Sequence, residues 1–136
     1  MVIKMEGMET FIKKDNIFAV VGVSSNPEKW GFKVYNKLKS ISSKVYPINP
    51  KYKRIENNTC YQCLQDLPEK PDVVITLVPP KVTEKIVEEC KNLNISKIWM
   101  QPGSESEESI NFCKNNNINV IYNACFIIDG LVKRRN

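Results

Sequence analysis

Short apolar runs alternate with amphipathic segments along this chain, and that alternation limits its fold more than any other feature. Runs of strand length lie at 17–22, 44–49, 72–78, 96–100 and 119–122. A continuous apolar run bounded by polar residues is typical of a strand buried on both faces. Strands that alternate with helices need crossover connections, so the sequence predicts a five-stranded, mainly parallel sheet with helices on both faces.

The connecting helices are predicted from apolar residues at helical spacing. The spacing favours a leading helix at 5–14, helices at 30–41 and 81–93, and a short helix at 61–67. The predicted fold class is therefore α/β, with three layers and an open, doubly wound sheet.

Two polar segments predict where further helices begin. Ser104 is followed three residues later by Glu107, which is the pattern of a capping box. Asn26 followed by Pro27 has the pattern of a cap and a proline at the first helical position.

Five strands in one short domain give a doubly wound sheet most simply in the order 3-2-1-4-5. Pro47 indicates an edge position or an irregularity in the second strand, because proline has no N–H for a ladder hydrogen bond. Such sheets bind ligands beyond the carboxyl ends of the strands, where the order reverses. The assumed order places that point between the first and fourth strands, faced by the loops at 22–31, 49–53, 78–81 and 101–105.

The composition excludes several classes of protein. A chain of 136 residues predicts a single domain over 1–136. A net charge of +5, spread along the chain, is not the concentrated basic face of a nucleic-acid binder. No apolar run approaches the ~20 residues of a membrane helix, and the start of the chain has no apolar signal region. We therefore expect a cytoplasmic protein that binds neither membrane nor nucleic acid; a protein partner or a homo-oligomer stays open.

The chain has five cysteines and no histidine. Without a secretory signal, reduced thiols are expected. Histidine-based triads, histidine general bases and the commonest metal ligand are excluded. Cys60 and Cys63 form a C-x-x-C pair that lacks the two further ligands of a zinc site, so no metal site is predicted and a redox role stays open. Cys90 and Cys113 fall at apolar helical positions and are predicted to lie in the core.

The first two loops contain the residues best suited to bind an anion. Gly22 allows a sharp turn and close approach of a ligand, and Ser24 and Ser25 are short and polar. Exposed N–H groups at a helix start attract phosphate. After the second strand, the chain has Asn49 and Lys51, where dinucleotide enzymes place an acidic residue for the ribose. A lysine there favours an adenosine that carries an extra phosphate, as in coenzyme A or a 2′-phosphorylated nicotinamide cofactor.

The third and fourth loops complete the predicted site. Val78 and the prolines after it form a stiff apolar wall suited to an adenine or a pantetheine arm. In the fourth loop, Pro102 and Gly103 form a turn before a polar helix start.

Four segments together resemble the CoA-binding domain family, whose small stand-alone members have a Rossmann-like fold that also occurs in the alpha subunit of succinyl-CoA synthetase and in related acyl-CoA synthetases. The segments read AVVGVSSNPEKWG, VYPINPKY, CYQCLQDLPEKPDVVITLVPP and IWMQPGSESEE, and the resemblance covers about residues 17–129.

The resemblance implies that coenzyme A, or an acyl-CoA, lies across the strand ends. Its diphosphate would lie near Gly22 and the two serines, its 3′-phosphate near Lys51, and its adenine or pantetheine near Val78 and Pro79. The full set of residues expected to contact this cofactor is Gly22, Val23, Ser24, Ser25, Lys29, Asn49, Pro50, Lys51, Val78, Pro79, Gln101, Pro102 and Gly103.

The chain departs from the family near its C-terminal end. Stand-alone members carry N-x-C followed by a glutamate and a histidine. Here Asn123 and Cys125 match, Asp129 stands in place of the glutamate, and the histidine is absent. The sequence therefore favours a CoA-binding module over an enzyme. Two alternatives stay open: a nicotinamide dinucleotide-binding redox domain, and a small thiol enzyme that acts on CoA disulfides or thioesters through Cys125.

Overall fold

The structure, a computed structural model, describes residues 5–127 and Gly130. The helices are α1 (Met5–Phe11), α2 (Trp30–Lys39), α3 (Pro80–Asn92) and α4 (Glu107–Asn115), with a single 3₁₀ turn at Leu64–Asp66. The strands are β1 (Phe18–Val21), β2 (Val45–Ile48), β3 (Arg54–Ile55), β4 (Asn58–Thr59), β5 (Val73–Thr76), β6 (Lys97–Met100) and β7 (Asn119–Ile121). None of the helices in this described part has the length and hydropathy of a bilayer-spanning segment.

Five strands form one parallel sheet in the order β2-β1-β5-β6-β7. Phe18 at the start of β1 lies beside Val45 of β2 on one side and Val73 of β5 on the other. Strands β3 and β4 form a small antiparallel hairpin outside the sheet. The α/β class with a five-stranded parallel sheet is thus confirmed, and the predicted strands lie within one or two residues of the observed ones.

The predicted strand order 3-2-1-4-5 is wrong, because the third long strand, β5, pairs directly with β1. The reason lies at Pro47, which cannot donate to a neighbouring strand and therefore confines β2 to the edge. The Pro47 carbonyl accepts the Tyr61 N–H at 3.0 Å, while the next residue, Ile48, accepts from Gly22 of the β1 end at 2.8 Å. The order consequently reverses between β1 and β5, not between the first and fourth long strands.

Two apolar layers cover the two faces of the sheet. Because successive side chains of a strand point to opposite faces, Phe18 and Val20 pack with Val34 and Leu38 of α2. Ala19 on the other face packs in the layer that contains α3 and α4. The central strands β1 and β5 are buried along their whole length.

The helix α2 begins at Trp30, as its apolar spacing predicts, and not at the Asn26–Pro27 cap pattern; it ends at Lys39, two residues before the predicted end. Asn26 and Pro27 belong to a preceding turn, in which the Glu28 N–H donates to Asn26 Oδ1 at 3.0 Å and the Lys29 N–H donates to the Asn26 carbonyl at 3.1 Å. The cap residue of α2 is Lys29, which makes no side-chain cap hydrogen bond.

The predicted capping box of the last helix is displaced by two residues. The box consists of Ser106 and Ser109, and α4 begins at Glu107. Ser104 is instead buried in the preceding turn, where its Oγ donates to the Gln101 carbonyl at 2.8 Å. The leading helix α1 ends at Phe11, earlier than residue 14, and the helix predicted at 61–67 is only a 3₁₀ turn.

Three backbone segments meet closely at the end of β1. Gly22 has φ of +104°, and a Cβ there would lie 2.3 Å from the Leu77 carbonyl oxygen. A Cβ at Gly31 of α2 would lie 2.3 Å from the Gly22 carbonyl oxygen. Glycine at both positions therefore lets the first turn of α2 and the segment after β5 contact the β1 end directly.

We predict that Gly31→Ala lowers the free energy of unfolding by about 1–3 kcal/mol, because the added methyl group overlaps backbone that cannot move independently. Gly7→Ala is the matched control within a helix, since no atom lies within 4 Å of the added Cβ. It should be neutral or stabilise by up to about 1 kcal/mol. Denaturant unfolding followed by circular dichroism measures both, and equal effects of the two substitutions would contradict the close contact.

Candidate functional site

A cleft of ≈ 1200 Å³ opens at the carboxyl ends of the parallel strands. The loops after β1, β2, β5 and β6 all contribute to its walls, and Cys125 contributes from the segment after β7. The cleft therefore lies over the point where the strand order reverses, between β1 and β5, which is where sheets of this kind bind their ligands.

Most of the residues predicted to contact a cofactor line this cleft. They are Gly22, Ser24, Lys29, Asn49, Pro50, Lys51, Val78, Pro79, Gln101, Pro102 and Gly103. Cys125, the residue through which a thiol enzyme would act, lines it as well.

Val23 and Ser25 do not line the cleft. The Val23 side chain is fully buried and packs in the core on the α2 face of the sheet, so it is not available to a ligand. Ser25 is exposed.

Asn49 connects the first two loops of the cleft. Its Nδ2 donates to the Val23 carbonyl at 2.9 Å, and its Oδ1 accepts the Lys51 N–H at 2.9 Å. Both ends of the side-chain amide are therefore occupied within the protein. Asn49 acts mainly by holding the loop that carries Lys51 against the loop that follows β1.

Tyr52 follows Lys51, and its phenol lies near the serines of the first loop. Hydrogen bonds from Ser24 and Ser25 lower the pKa of the Tyr52 phenol, and the charge of Lys51 acts in the same direction. Hydrogen bonds that favour the charged form have this effect on an acid. The phenol and the two serine hydroxyls thus form a polar group at the rim of the cleft, beside a lysine.

Two helices begin at the cleft without a side-chain cap. Lys29 caps α2 and Pro79 caps α3, and neither makes a side-chain hydrogen bond to the helix N–H groups. Both cap residues line the cleft. In contrast, the start of α4 has a capping box, in which the Ser106 side chain accepts the Ser109 N–H. The starts of α2 and α3 therefore present positive partial charge to the cleft.

The charged side chains of the lining are mostly basic. Among the described residues, Lys29, Lys51 and Lys85 line the cleft together with a single carboxylate, Glu89. One oxygen of Glu89 accepts the Gln65 N–H at 3.2 Å. The balance of charge, added to the two helix starts, suits the cleft for an anionic ligand.

Gln101 and the segment after β7 form the far wall. The Gln101 Oε1 accepts the Phe126 N–H, which directs Nε2 toward the Cys125 Sγ at 3.5 Å. The Trp99 indole N–H donates to the Ala124 carbonyl at 2.8 Å. Cys125 is therefore fixed between two residues that are hydrogen-bonded to the β6 segment. Asp129, expected to replace the family glutamate, lies outside the described residues.

The other cysteines are poor candidates for thiol chemistry. Burial raises the pKa of Cys60 and of Cys63, whereas a thioredoxin-like pair needs a lowered pKa. Cys90 and Cys113 are completely buried, as predicted. Within residues 5–127 and Gly130, no group of His, Cys, Asp and Glu side chains is arranged to hold a metal ion.

Sequence reasoning missed several residues of the cleft. Tyr52 and Trp30 lie within two of the loops predicted to face the site but were not among the predicted contacts, and Val82 and Lys85 were assigned only to the helix at 81–93. The apolar spacing of α3 predicts that Ile86 lies in the core. It does not predict that Val82 and Lys85 of the same helix line the cleft. The position of Trp30 directly before Gly31, a glycine at the end of the first loop, was the sequence feature that could have indicated a place at the site.

Comparison with known proteins shows what the chain is similar to. The family model described as a CoA binding domain matches residues 16–130. The chain is 35% identical over 80 residues to an ADP-forming acetate–CoA ligase of Methanocaldococcus jannaschii, covering 59% of this chain and 11% of the ligase. It is 39% identical over 74 residues to such a ligase of Archaeoglobus fulgidus, covering 54% of this chain and 11% of the ligase.

Two solved structures match over nearly their full length. A conserved hypothetical protein from Pyrococcus furiosus superposes with a TM-score of 0.78 and 35% identity, over 83% of this chain and 97% of that one. A hypothetical protein from Pyrococcus horikoshii superposes with a TM-score of 0.86 and 27% identity, over 91% and 87% of the two chains.

The hydrogen bonds at the cleft rim predict the order in which tyrosines ionise. Tyr52 should ionise below the ordinary value of 10.0, whereas burial raises the pKa of Tyr35 to about 12 and the bond to Glu69 raises that of Tyr46 to about 12. In an ultraviolet pH titration, Tyr52→Phe should remove the earliest phenolate absorbance, and Tyr46→Phe should remove only absorbance at higher pH. A Tyr52→Phe titration that keeps the early step would contradict the proposed bonds.

Proposed function

The chain belongs to the CoA-binding domain family, and on this premise we propose that its cleft binds coenzyme A or an acyl-CoA as a module without catalytic machinery of its own. The observation that carries the proposal is the coincidence of the reversal point of the sheet, two helix starts without side-chain caps and three lysines in one cleft. Coenzyme A combines a diphosphate and a 3′-phosphate with a long, nearly uncharged arm, and the cleft offers both kinds of surface.

The first loop suits the diphosphate. Gly22 brings backbone close to the cleft floor, Ser24 supplies a hydroxyl, and the start of α2 supplies unpaired N–H groups and a favourable dipole. These groups bind phosphate oxygens without any requirement for a particular base or acyl group.

Lys51 suits the 3′-phosphate. It is exposed at the rim, in a loop held by Asn49. A lysine acts on phosphate as a compact charge with three donors. Because Asn49 holds this loop against the loop that follows β1, little ordering is needed when a ligand binds.

The segment after β5 and the end of β6 suit the pantetheine arm of CoA. Val78 and Pro79 present an apolar wall, and Pro102 and Gly103 lie across the cleft in a turn. Amide-containing chains such as pantetheine pack on apolar walls and hydrogen-bond to exposed backbone groups at turns.

The similarity to these ligases supports the proposal that the chain binds CoA, but it does not support a ligase reaction. Their names describe ADP-forming acetate–CoA ligases, and this chain covers only 11% of the two compared above. The histidine that stand-alone family members carry after N-x-C is absent from the sequence. A role in holding or presenting CoA, alone or to a protein partner, requires neither the remainder of a ligase nor a histidine.

A second function is favoured by one observation, the position of Cys125. Its sulfur lines the cleft and accepts a hydrogen bond from Gln101 Nε2 at 3.5 Å, so the thiol faces the space that the ligand would occupy. The Cys125 thiolate would attack a CoA disulfide, forming a protein–CoA mixed disulfide while the other half leaves as a thiolate. No external oxidant is needed, because one disulfide is exchanged for another.

We predict that Lys51→Gln weakens CoA binding by about tenfold, the equivalent of one charge-assisted hydrogen bond of about 1.5 kcal/mol. Binding of dephospho-CoA should hardly change. Lys53→Gln is the matched control, because Lys53 lies in the same loop, is exposed and does not line the cleft. Isothermal titration calorimetry of both variants with both ligands makes the comparison.

Three results would decide against parts of this proposal. If Lys51→Gln weakens the binding of CoA and of dephospho-CoA equally, Lys51 does not bind the 3′-phosphate. Binding of NADPH in place of CoA would support the nicotinamide alternative. No binding of CoA or acetyl-CoA to the unmodified protein would overturn the proposed function.

The thiol exchange predicts a mass increase of one CoA moiety when the protein meets CoA disulfide. Cys125→Ser should abolish the adduct and keep calorimetric binding of CoA. Cys63→Ser is the control, because Cys63 also lines the cleft but has a raised pKa. An adduct that persists in Cys125→Ser, or none in the unmodified protein, would refute exchange at Cys125.

A further inference from the structure

The large apolar side chains that stay exposed in the described part of the chain are Trp30 and Val82, with 49% and 39% of their surfaces accessible. Both line the cleft. Trp30 is the first residue of α2, on one face of the sheet, and Val82 lies in the first turn of α3, on the other face. The exposed apolar surface is therefore concentrated at the mouth of the cleft, where a ligand enters.

The Trp30 backbone is held in place by its neighbour. Gly31 packs so closely on Gly22 that a methyl group would overlap the Gly22 carbonyl. The first turn of α2 is thus fixed to the loop that follows β1. An aromatic ring on this turn stands beside the groups suited to bind phosphate, on backbone that does not need to rearrange.

Positive charge surrounds the indole. The Lys33 Nζ lies 5.2 Å from the ring centroid, over one face, and the adjacent Lys29 lines the cleft. The ring nevertheless keeps about half of its surface accessible. A flat aromatic surface next to lysines is the combination by which proteins bind a base and its phosphates together, through stacking and charge.

We propose that Trp30 is the platform on which the adenine of the ligand stacks, and so determines the preference for a nucleotide-bearing ligand over a bare phosphopantetheine arm. The inference rests on the proposed binding of CoA and adds a place for the base. Stacking at Trp30 puts the adenine on the α2 side of the mouth and leaves the wall of Val78 and Pro79 to the pantetheine arm.

The two tryptophans of the chain make the proposal measurable. Trp99 is completely buried and its indole N–H is bonded to Ala124, so a change in the exposed component of the fluorescence reports on Trp30. CoA, dephospho-CoA and adenosine 3′,5′-bisphosphate should quench that component on binding. 4′-Phosphopantetheine should bind without quenching, and Trp30→Phe serves as the spectroscopic blank.

Calorimetry of variants provides the energetic test. Trp30→Ala should weaken CoA binding by about 5- to 100-fold, the range found when a stacking aromatic is removed, and leave 4′-phosphopantetheine binding unchanged. Trp30→Phe should keep most of the affinity, because a ring remains. Val82→Ala, which shortens the other exposed apolar side chain, should change CoA affinity by less than about threefold.

The outcomes separate this inference from the proposed function. If Trp30→Ala binds CoA as tightly as the unmodified protein, stacking at Trp30 is wrong and CoA binding stands. Stacking is equally wrong if 4′-phosphopantetheine quenches Trp30 as strongly as CoA does. It is also wrong if Trp30→Ala and Val82→Ala lose equal affinity, as expected of a general apolar contact or a protein-docking surface. If the unmodified protein binds no CoA, the proposed function itself fails.

Discussion

The close contact of three backbone segments at Gly22 is the constraint on which the rest of the structure depends. The strand β1 ends there, the segment after β5 lies against it, and the first turn of α2 packs on its carbonyl oxygen. A side chain at Gly22 or Gly31 would separate these segments. Their contact brings two helix starts from opposite faces of the sheet to one cleft. The glycines therefore shape the site mainly because they lack side chains that would keep these backbone segments apart.

Much of the fold could be predicted from the sequence, because it depends on patterns that are local. The apolar runs of β1 and β5 are buried on both faces, and the spacing of α2 and α3 reflects the faces they turn to the sheet. The strand order could not be obtained in the same way, since it depends on which strands pair across space. Pro47 indicated either an edge position or an irregularity, and the edge position that β2 occupies was not used in choosing the strand order.

The site was predictable at the level of loops and less so at the level of side chains. Parallel strands bring their carboxyl ends to one edge, so Gly22, Lys51 and Pro79 had to lie near one another once the strands were known. Trp30 and Tyr52 were missed because their roles depend on rotamers and on the exact start of α2. The cap pattern at Asn26 belongs to a turn and not to the helix start, and Trp30, although inside the loop predicted to face the site, was not among the predicted contacts.

The position of Cys125 has a consequence for how the protein responds to chemical modification. The residues before and after it are hydrogen-bonded to Trp99 and Gln101, and Phe126 contacts the Trp99 ring with centroids 4.7 Å apart. Because these contacts restrain the backbone on both sides of Cys125, a bulky adduct on the sulfur would extend into the cleft that Cys125 lines. A ligand that fills the cleft would accordingly shield this thiol from modifying reagents.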